Sequence, residues 1–205
     1  MSRYRFSIYK KSSKFYWSTN RVVYPILFIC FALIFLLEKD KYIQSPLGKT
    51  LAFIGLASWG CGLLLKLINI PKTKPLKGKI EGFITFESDK ILIESTEFLL
   101  SEIKTISISN EDYYGKFTYT YNKADLNSPL SNGVDNNVFL ELNSGETVKC
   151  QFQLYNSYDF EKLRGILIKY YTEGKLSFEN LARVLGVKSK KEKNNFKNHI
   201  DKHYL

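Results

Sequence analysis

The sequence predicts an α+β membrane protein: a two-helix hairpin through a bilayer, followed by an antiparallel β-rich module. Three observations predict it. Val22 to Leu37 reads VVYPILFICFALIFLL, and Thr50 to Leu65 reads TLAFIGLASWGCGLLL, both without a charge. Only a short polar stretch separates the two runs. From Lys79 the continuous apolar pattern gives way to period-two alternation, which marks half-buried strands.

Each run is justified by its length and flanks. A spanning helix needs about 20 mostly apolar residues. The first run has 16 uncharged residues. Its flanks extend it, because Arg21, Lys39 and Lys41 snorkel and Tyr24 and Tyr42 suit the interfaces. Pro25 falls in the first turn, where a missing N–H costs little. The second run opens with Ser45-Pro46, an N-cap followed by proline at the first helical position. No small-x-small cleavage site follows Leu37, so a removed leader is not the expectation.

In the second run Ala52, Gly55, Ser58 and Gly62 share one side, a spacing that lets a neighbouring backbone approach closely. Two partners fit this face: the first helix of the same chain, or a second copy in a homo-oligomer.

Charge fixes the orientation. Residues 1–21 carry six Lys or Arg and no acid, and residues 71–79 carry four Lys and no acid. The 38–49 loop nearly balances, three Lys against Glu38 and Asp40. The positive-inside rule then puts both termini in the cytoplasm. The net charge of +10 is unevenly spread: residues 80–160 hold thirteen acids and five Lys, whereas 161–205 hold eleven bases and five acids. A basic protein often meets nucleic acid. Here the excess sits beside the membrane and in the tail while the body is acidic, which argues against nucleic acid.

The segments follow. Residues 1–21 form a basic-aromatic arm, with Arg3, Arg5, Lys10, Lys11, Lys14, Trp17 and Arg21 as membrane-surface residues. Either they contact anionic headgroups or they serve only as a topology signal. Residues 22–70 are the hairpin. Residues 71–78 are a short linker whose Lys72, Lys74 and Lys77 face the same surface. Residues 79–174 form the β module with its closing helix, and 175–205 a basic helical tail.

Within the module, Ile80, Ile84 and Phe86 share one parity. A turn at Ser88-Asp89-Lys90 leads to a strand from Ile91 to Glu94. Phe98 to Ile108 continues as strand, with a bulge near Lys104-Thr105. Phe117 to Asn136 is a long polar loop. Tyr113, Tyr114, Tyr119 and Tyr121 keep a partner-binding role open for it. Asn143-Ser144-Gly145 is a three-residue hairpin loop that pairs Leu140 with Val148 and Val138 with Cys150. A helix after Asn156 or Ser157 buries Phe160, Leu163, Leu167 and Tyr170 and stops at Gly174. Ser177 starts a short helix through Leu185, and Ser189 with Glu192 makes a capping box for a last basic helix.

Catalytic signatures are missing. Cys30, Cys61 and Cys150 read as small apolar residues. His199 and His203 are too few for a histidine-based metal site. There is no P-loop, GxSxG or GxGxxG. The expectation is a non-enzymatic protein without cofactor or metal.

The stretches KIEGFITFESDKILIES, LLSEIKTISIS, EDYYG and NVFLELNSGETVKCQFQL, with the helix DFEKLRGILIKYY, resemble bacterial membrane proteins that carry a pleckstrin-homology-like (PH-like) domain. The resemblance covers roughly residues 78 to 174. It implies a strongly bent seven-stranded sheet or open barrel with a C-terminal helix across one end. The strand not evident in the pattern is expected near Tyr114 to Tyr121. Phosphoinositide-binding relatives use basic residues around the first hairpin, whereas this one reads Glu87-Ser88-Asp89-Lys90 and would repel phosphate. The implied role is a multi-pass inner-membrane protein displaying a cytoplasmic interaction module to an unidentified protein partner. An anionic-lipid sensor acting through arm and tail, and an immunity protein or accessory subunit of a membrane complex, are the alternatives.

Overall fold

A computed structural model describes residues 4–37, 45–118 and 125–204. The chain divides into two compact units. One is made of 4–12, Gly78–Lys116 and 131–204; the other of the described residues in Ser13–Lys77 and Phe117–Leu130.

The second unit contains two long helices, α1 (Thr19–Leu37) and α2 (Pro46–Asn69). At 1.5 Å per residue they run about 28 and 36 Å, against a hydrocarbon core of about 30 Å. The expected cap of α2 is present: the Ser45 hydroxyl accepts from the Gly48 N–H, with proline next. α1 starts earlier than the uncharged run, where the Arg21 N–H donates to the Ser18 hydroxyl. Only 11% of each span is buried. A core helix of a soluble protein would be mostly covered, so these are helices long and apolar enough to cross a membrane, with their apolar faces open.

The seam between them is a seven-residue repeat. Val23 and Cys30 of α1 are buried, as are Gly48, Gly55 and Gly62 of α2. A Cβ at Gly55 would lie 3.7 Å from Cys30 Cβ, and one at Gly62 would lie 3.2 Å from Val23 Cγ1. The glycines thus bring the two backbones together, as small residues do where no hydrophobic drive separates helix from lipid.

The first unit is an antiparallel sheet with helices at its end. Its strands are β1 (Tyr4–Lys11), β2 (Gly78–Phe86), β3 (Lys90–Ile93), β4 (Thr96–Leu99) and β5 (Ile103–Ser109). There follow β6 (Tyr114–Phe117), β7 (Leu130–Asn132), β8 (Asn136–Leu142) and β9 (Thr147–Phe152). Seven make one sheet in the order β4-β3-β2-β1-β9-β8-β5, while β6 and β7 pair separately.

Two sequence expectations change here. Tyr4–Lys11 is not a free arm but a strand inside the sheet, paired with β2 from Tyr4↔Phe86 to Lys11↔Gly78 and with β9 at Ile8↔Phe152. Its Tyr4, Phe6 and Ile8 alternate with Arg5 and Ser7, so it has the strand period. The seventh strand is therefore β1, and the one near Tyr114 lies outside the main sheet. The module is consequently discontinuous: residues 13–77 are an insertion between two neighbouring strands, not a segment preceding the domain. The stretch expected as one strand from Phe98 to Ile108 is also two, β4 and β5, at opposite edges of the sheet.

That last fact bends the sheet. Seven strands laid flat at ~4.8 Å spacing would hold β4 and β5 about 29 Å apart. The chain from Leu99 to Ile103 reaches at most about 14 Å. The sheet must curl until its edges approach, yet no β4–β5 ladder closes it. The bulge expected near Lys104 is present, as the β5–β8 register shifts between Ile103 and Thr105. The β8–β9 hairpin has the expected pairs, Leu140↔Val148 and Val138↔Cys150, and Gly145 takes the left-handed φ of +88° that its turn requires.

The core gathers four rings, Phe6, Phe86, Phe152 and Phe160. Phe160 stacks on Phe6 at 5.1 Å and meets Phe86 and Phe152 at 5.8 and 5.7 Å. Phe160 comes from a 3-10 turn (Asp159–Leu163) that runs into α3 (Arg164–Thr172). One continuous helix was expected. No side chain caps this start, because the Asp159 carboxylate accepts from the Asn156 N–H instead. Tyr170 pins α3 to the β2–β3 turn by donating to the Glu87 carbonyl at 2.5 Å, and burial pushes its phenol well above the ordinary value. Next come α4 (Phe178–Val184), capped by Ser177, and α5 (Lys190–His203), with the Ser189–Glu192 capping box.

Those helices close the β5 edge. Ile106 N–H donates to the Lys175 carbonyl, and Asn180 both accepts from Ile108 N–H at 2.9 Å and donates to Ile108 O at 2.8 Å. An amide side chain stands where another strand would pair.

Candidate membrane-interface site

The candidate interface residues of the hairpin unit lie where α1 begins and α2 ends. The segment entering α1 carries Phe15, Tyr16 and Trp17; the one leaving α2 carries Lys72, Lys74 and Lys77. Arg21 sits 4.8 Å over the Phe15 ring and donates Nη1–H to the Tyr16 carbonyl at 3.0 Å. Lys77 Nζ lies 5.7 Å from the centroid of the Tyr16 ring. Phe15 and Trp17 meet edge to face at 5.2 Å, and each is 68% exposed. Cations over ring faces and rings left in water are what a bilayer interface accommodates.

The same end of the hairpin is gripped by part of the long polar loop. Asn20 on α1 donates to Asp125 Oδ1 at 2.9 Å and accepts from the Leu126 N–H at 2.8 Å. Asn69, the last residue of α2, donates to the Leu126 carbonyl. The Leu126 side chain is buried, and a Cβ at Gly62 would lie 3.2 Å from its Cδ1. Lys74 N–H donates to the Leu130 carbonyl at 2.8 Å. Burial works to raise the Asp125 carboxyl, but hydrogen bonds from Asn127 and Asn20, with the Lys74 charge, hold it below the ordinary value. A carboxylate beside the first turn of α1 also complements the helix dipole.

The sequence-predicted residues are thus divided. Lys14, Trp17, Arg21, Lys72, Lys74 and Lys77 belong to the hairpin unit. Arg5, Lys10 and Lys11 belong to the other unit, carried by β1. There Arg5 lies 4.7 Å over the Phe83 ring and Lys10 pairs with Glu94 at 2.5 Å, a contact that raises the ammonium above its ordinary value. Arg3 lies outside the described residues.

Of the packing residues, Gly55 and Gly62 face α1, Ser58 is half-buried and Ala52 is exposed. Gly48 takes the place expected of Ala52. Tyr113 packs against the module core, and Tyr114 is exposed at 6.0 Å from Tyr155. Tyr119 and Tyr121 lie outside the described residues.

Asn20, Asn69, Asp125 and Leu126 escaped sequence reading. Their signal was present in part: Gly48, Gly55, Gly62 and Asn69 recur at seven-residue intervals, so the amide continues the glycine seam.

In the module, Cys150 is buried and its thiol is pushed up to about 11 by that burial and by Glu94, which leaves it unreactive at neutral pH. Among the described residues no group of three or more His, Cys, Asp or Glu is placed to hold a metal ion. No protein-family model, curated protein or solved structure matches the chain.

Proposed function

We propose that this chain is a non-enzymatic, multi-pass inner-membrane protein that displays a cytoplasmic PH-like module to a protein partner. One observation carries the membrane topology. Because β1 and β2 are hydrogen-bonded neighbours, the residues just before and just after the hairpin share one side of the bilayer. The intervening chain must then cross an even number of times, and it holds two helices that qualify. The cationic flanks Lys14, Arg21, Lys72, Lys74 and Lys77 favour the cytoplasm for that side.

The PH-like reading draws support from the strand order. Setting β6 and β7 aside, each strand pairs with its neighbours in sequence except β4 and β5, which form the two edges; the last strand returns beside the first, and a helix follows. The partner reading draws support from what remains open. The β5 edge is covered, so β4 is the edge left for strand addition, and Tyr155 and Tyr158 stand exposed. An immunity protein or accessory subunit that met another chain through Gly55 and Gly62 stays the alternative; the packing of Val23, Cys30 and Leu126 against that face supports the interaction-module reading over it.

A combined experiment tests the proposal. Single cysteines at Ser13, Lys41 and Lys77, after replacement of the three native ones, are exposed to a membrane-impermeant maleimide in intact cells. Only Lys41→Cys labels from outside if the topology is right. A photo-crosslinker at Glu97 or Tyr158 should then capture one protein at adjacent positions. Recovery of lipid alone at all of them refutes the interaction role.

A further inference from the structure

We propose that Arg21 and Lys77, with Phe15 and Trp17, form a binding site for the phosphate of an anionic phospholipid headgroup. The inference rests on reading α1 and α2 as a membrane hairpin. Both cations converge on one dipeptide. Arg21 is held over Phe15 and tied to the Tyr16 carbonyl, and Lys77 is held over the Tyr16 ring. Neither forms an ion pair with a described carboxylate. In the module, Lys10, Lys104, Lys162, Arg164 and Lys169 each lie within 3.5 Å of a carboxylate, while Arg5 and Lys149 each lie singly over a ring; the hairpin unit differs in bringing two such cations to one dipeptide.

The guanidinium spends Nη1 on the carbonyl and keeps Nε and Nη2, a planar fork matched to phosphate oxygens. Stacking and the carbonyl bond fix that fork before a ligand arrives, which lowers the ordering cost of binding.

The lipid source, rather than a soluble phosphate, follows from the rings. Phe15 and Trp17 are two-thirds exposed and sit two to four residues before the first turn of α1. A free phosphate leaves them in water; a phospholipid covers them with its glycerol and upper acyl region while its phosphate meets the cations.

The two tryptophans permit a clean test on the full chain in phosphatidylcholine vesicles containing phosphatidylglycerol. In one preparation the phosphatidylglycerol carries acyl-chain bromines both near the carbonyl, at the depth of Trp17, and near the chain end, at the depth of Trp59; in the other an equal amount of the phosphatidylcholine does. W59F leaves Trp17 as the only tryptophan, and W17F leaves Trp59. Trp59 lies within α2 and is quenched by either brominated lipid if the hairpin spans. Trp17 should be quenched preferentially by brominated phosphatidylglycerol, with each cation contributing about fivefold to the local enrichment. R21Q or K77Q reduces that preference, and the double variant abolishes it while Trp59 quenching is unchanged.

Equal quenching of Trp17 by both lipids, or a preference unaltered in the double variant, overturns the site and leaves the hairpin standing. Loss of the preference on adding inorganic phosphate at constant ionic strength also overturns it, in favour of a soluble anion. Absence of Trp59 quenching in either vesicle refutes the membrane reading, and the headgroup site with it.

Discussion

A polypeptide that begins at Gly78 should fail to fold, and restoring Tyr4–Ser12 should rescue it. The usual excision of a module from behind its membrane anchor would discard β1. That removes the burial of Ile8 and Tyr9 and the stack of Phe6 on Phe160. At ~1.5–3 kcal/mol per large side chain the loss is about 5 kcal/mol or more. It also uncovers parts of Phe86 and Phe152 and leaves β2 and β9 each without a neighbour. The released strand regains its own conformational freedom, but two interior edges are then unpaired. Small domains hold about 5–15 kcal/mol in all, so the truncated form should be unfolded or molten.

The comparison molecule joins Ser12 to Gly78 by a short turn, which the Lys11↔Gly78 pairing permits. Both tryptophans lie in the hairpin unit, so urea unfolding is followed by circular dichroism and tyrosine emission. The joined form should give one cooperative transition. A cooperative transition at the same midpoint for the form starting at Gly78 would refute the reasoning.

Three further outcomes are expected. Gly133→Ala should destabilise the module by more than about 2 kcal/mol in urea melts, because its φ of +69° disfavours a side chain and the new Cβ would lie 2.1 Å from the Leu154 carbonyl. Asn180→Ala should cost about 1–3 kcal/mol and speed hydrogen exchange at Ile108, whose N–H loses its acceptor in a buried setting. Asn20→Ala should release residues 125–127, read as lost amide protection at Leu126 and Asn127 with α1 still protected. The pH dependence of that latch follows from the Asp125 carboxyl, held below its ordinary value of 3.8. A lowered value means the contribution is present above the ordinary carboxylate range and lost as pH falls through the folded value. Protection corrected for intrinsic exchange should therefore persist to mildly acid pH and vanish only in stronger acid.

Where local chemistry decides, the sequence was legible. Ser45-Pro46, Ser177 and the Ser189–Glu192 box each start a helix because one oxygen satisfies otherwise orphaned N–H groups. The β8–β9 register followed from Gly145 and two alternating runs. What stayed hidden depended on distant partners. Tyr4, Phe6 and Ile8 alternate as a strand should, yet cations beside an apolar run also read as a membrane arm, and the deciding contacts lie with Phe86, Phe152 and Phe160. Phe98 to Ile108 gave no sign of breaking, since its division depends on which edges the two halves join. Asp125 and Leu126 looked like loop composition because Asn20 and Asn69, which hold them, are far away in sequence. Of the interface residues, Arg21 and Lys77 were apparent from charge, but their convergence on Tyr16 was not.

The insertion of the hairpin between β1 and β2 has a consequence for biogenesis. β1 is synthesised before the other described elements, yet its second neighbour, β9, ends 144 residues after Ile8. At ~5–20 residues per second that is a wait of roughly 7–30 s. If the two helices span a bilayer as proposed, they emerge during this interval, and the sheet would be completed only after the bilayer had been entered. A chain threaded with one helix in place of two would leave β1 and β2 on opposite faces, where they can never pair. On that proposed topology, completion of the sheet would act as a check on membrane insertion, and mis-inserted molecules would present unfolded strands to quality-control proteases.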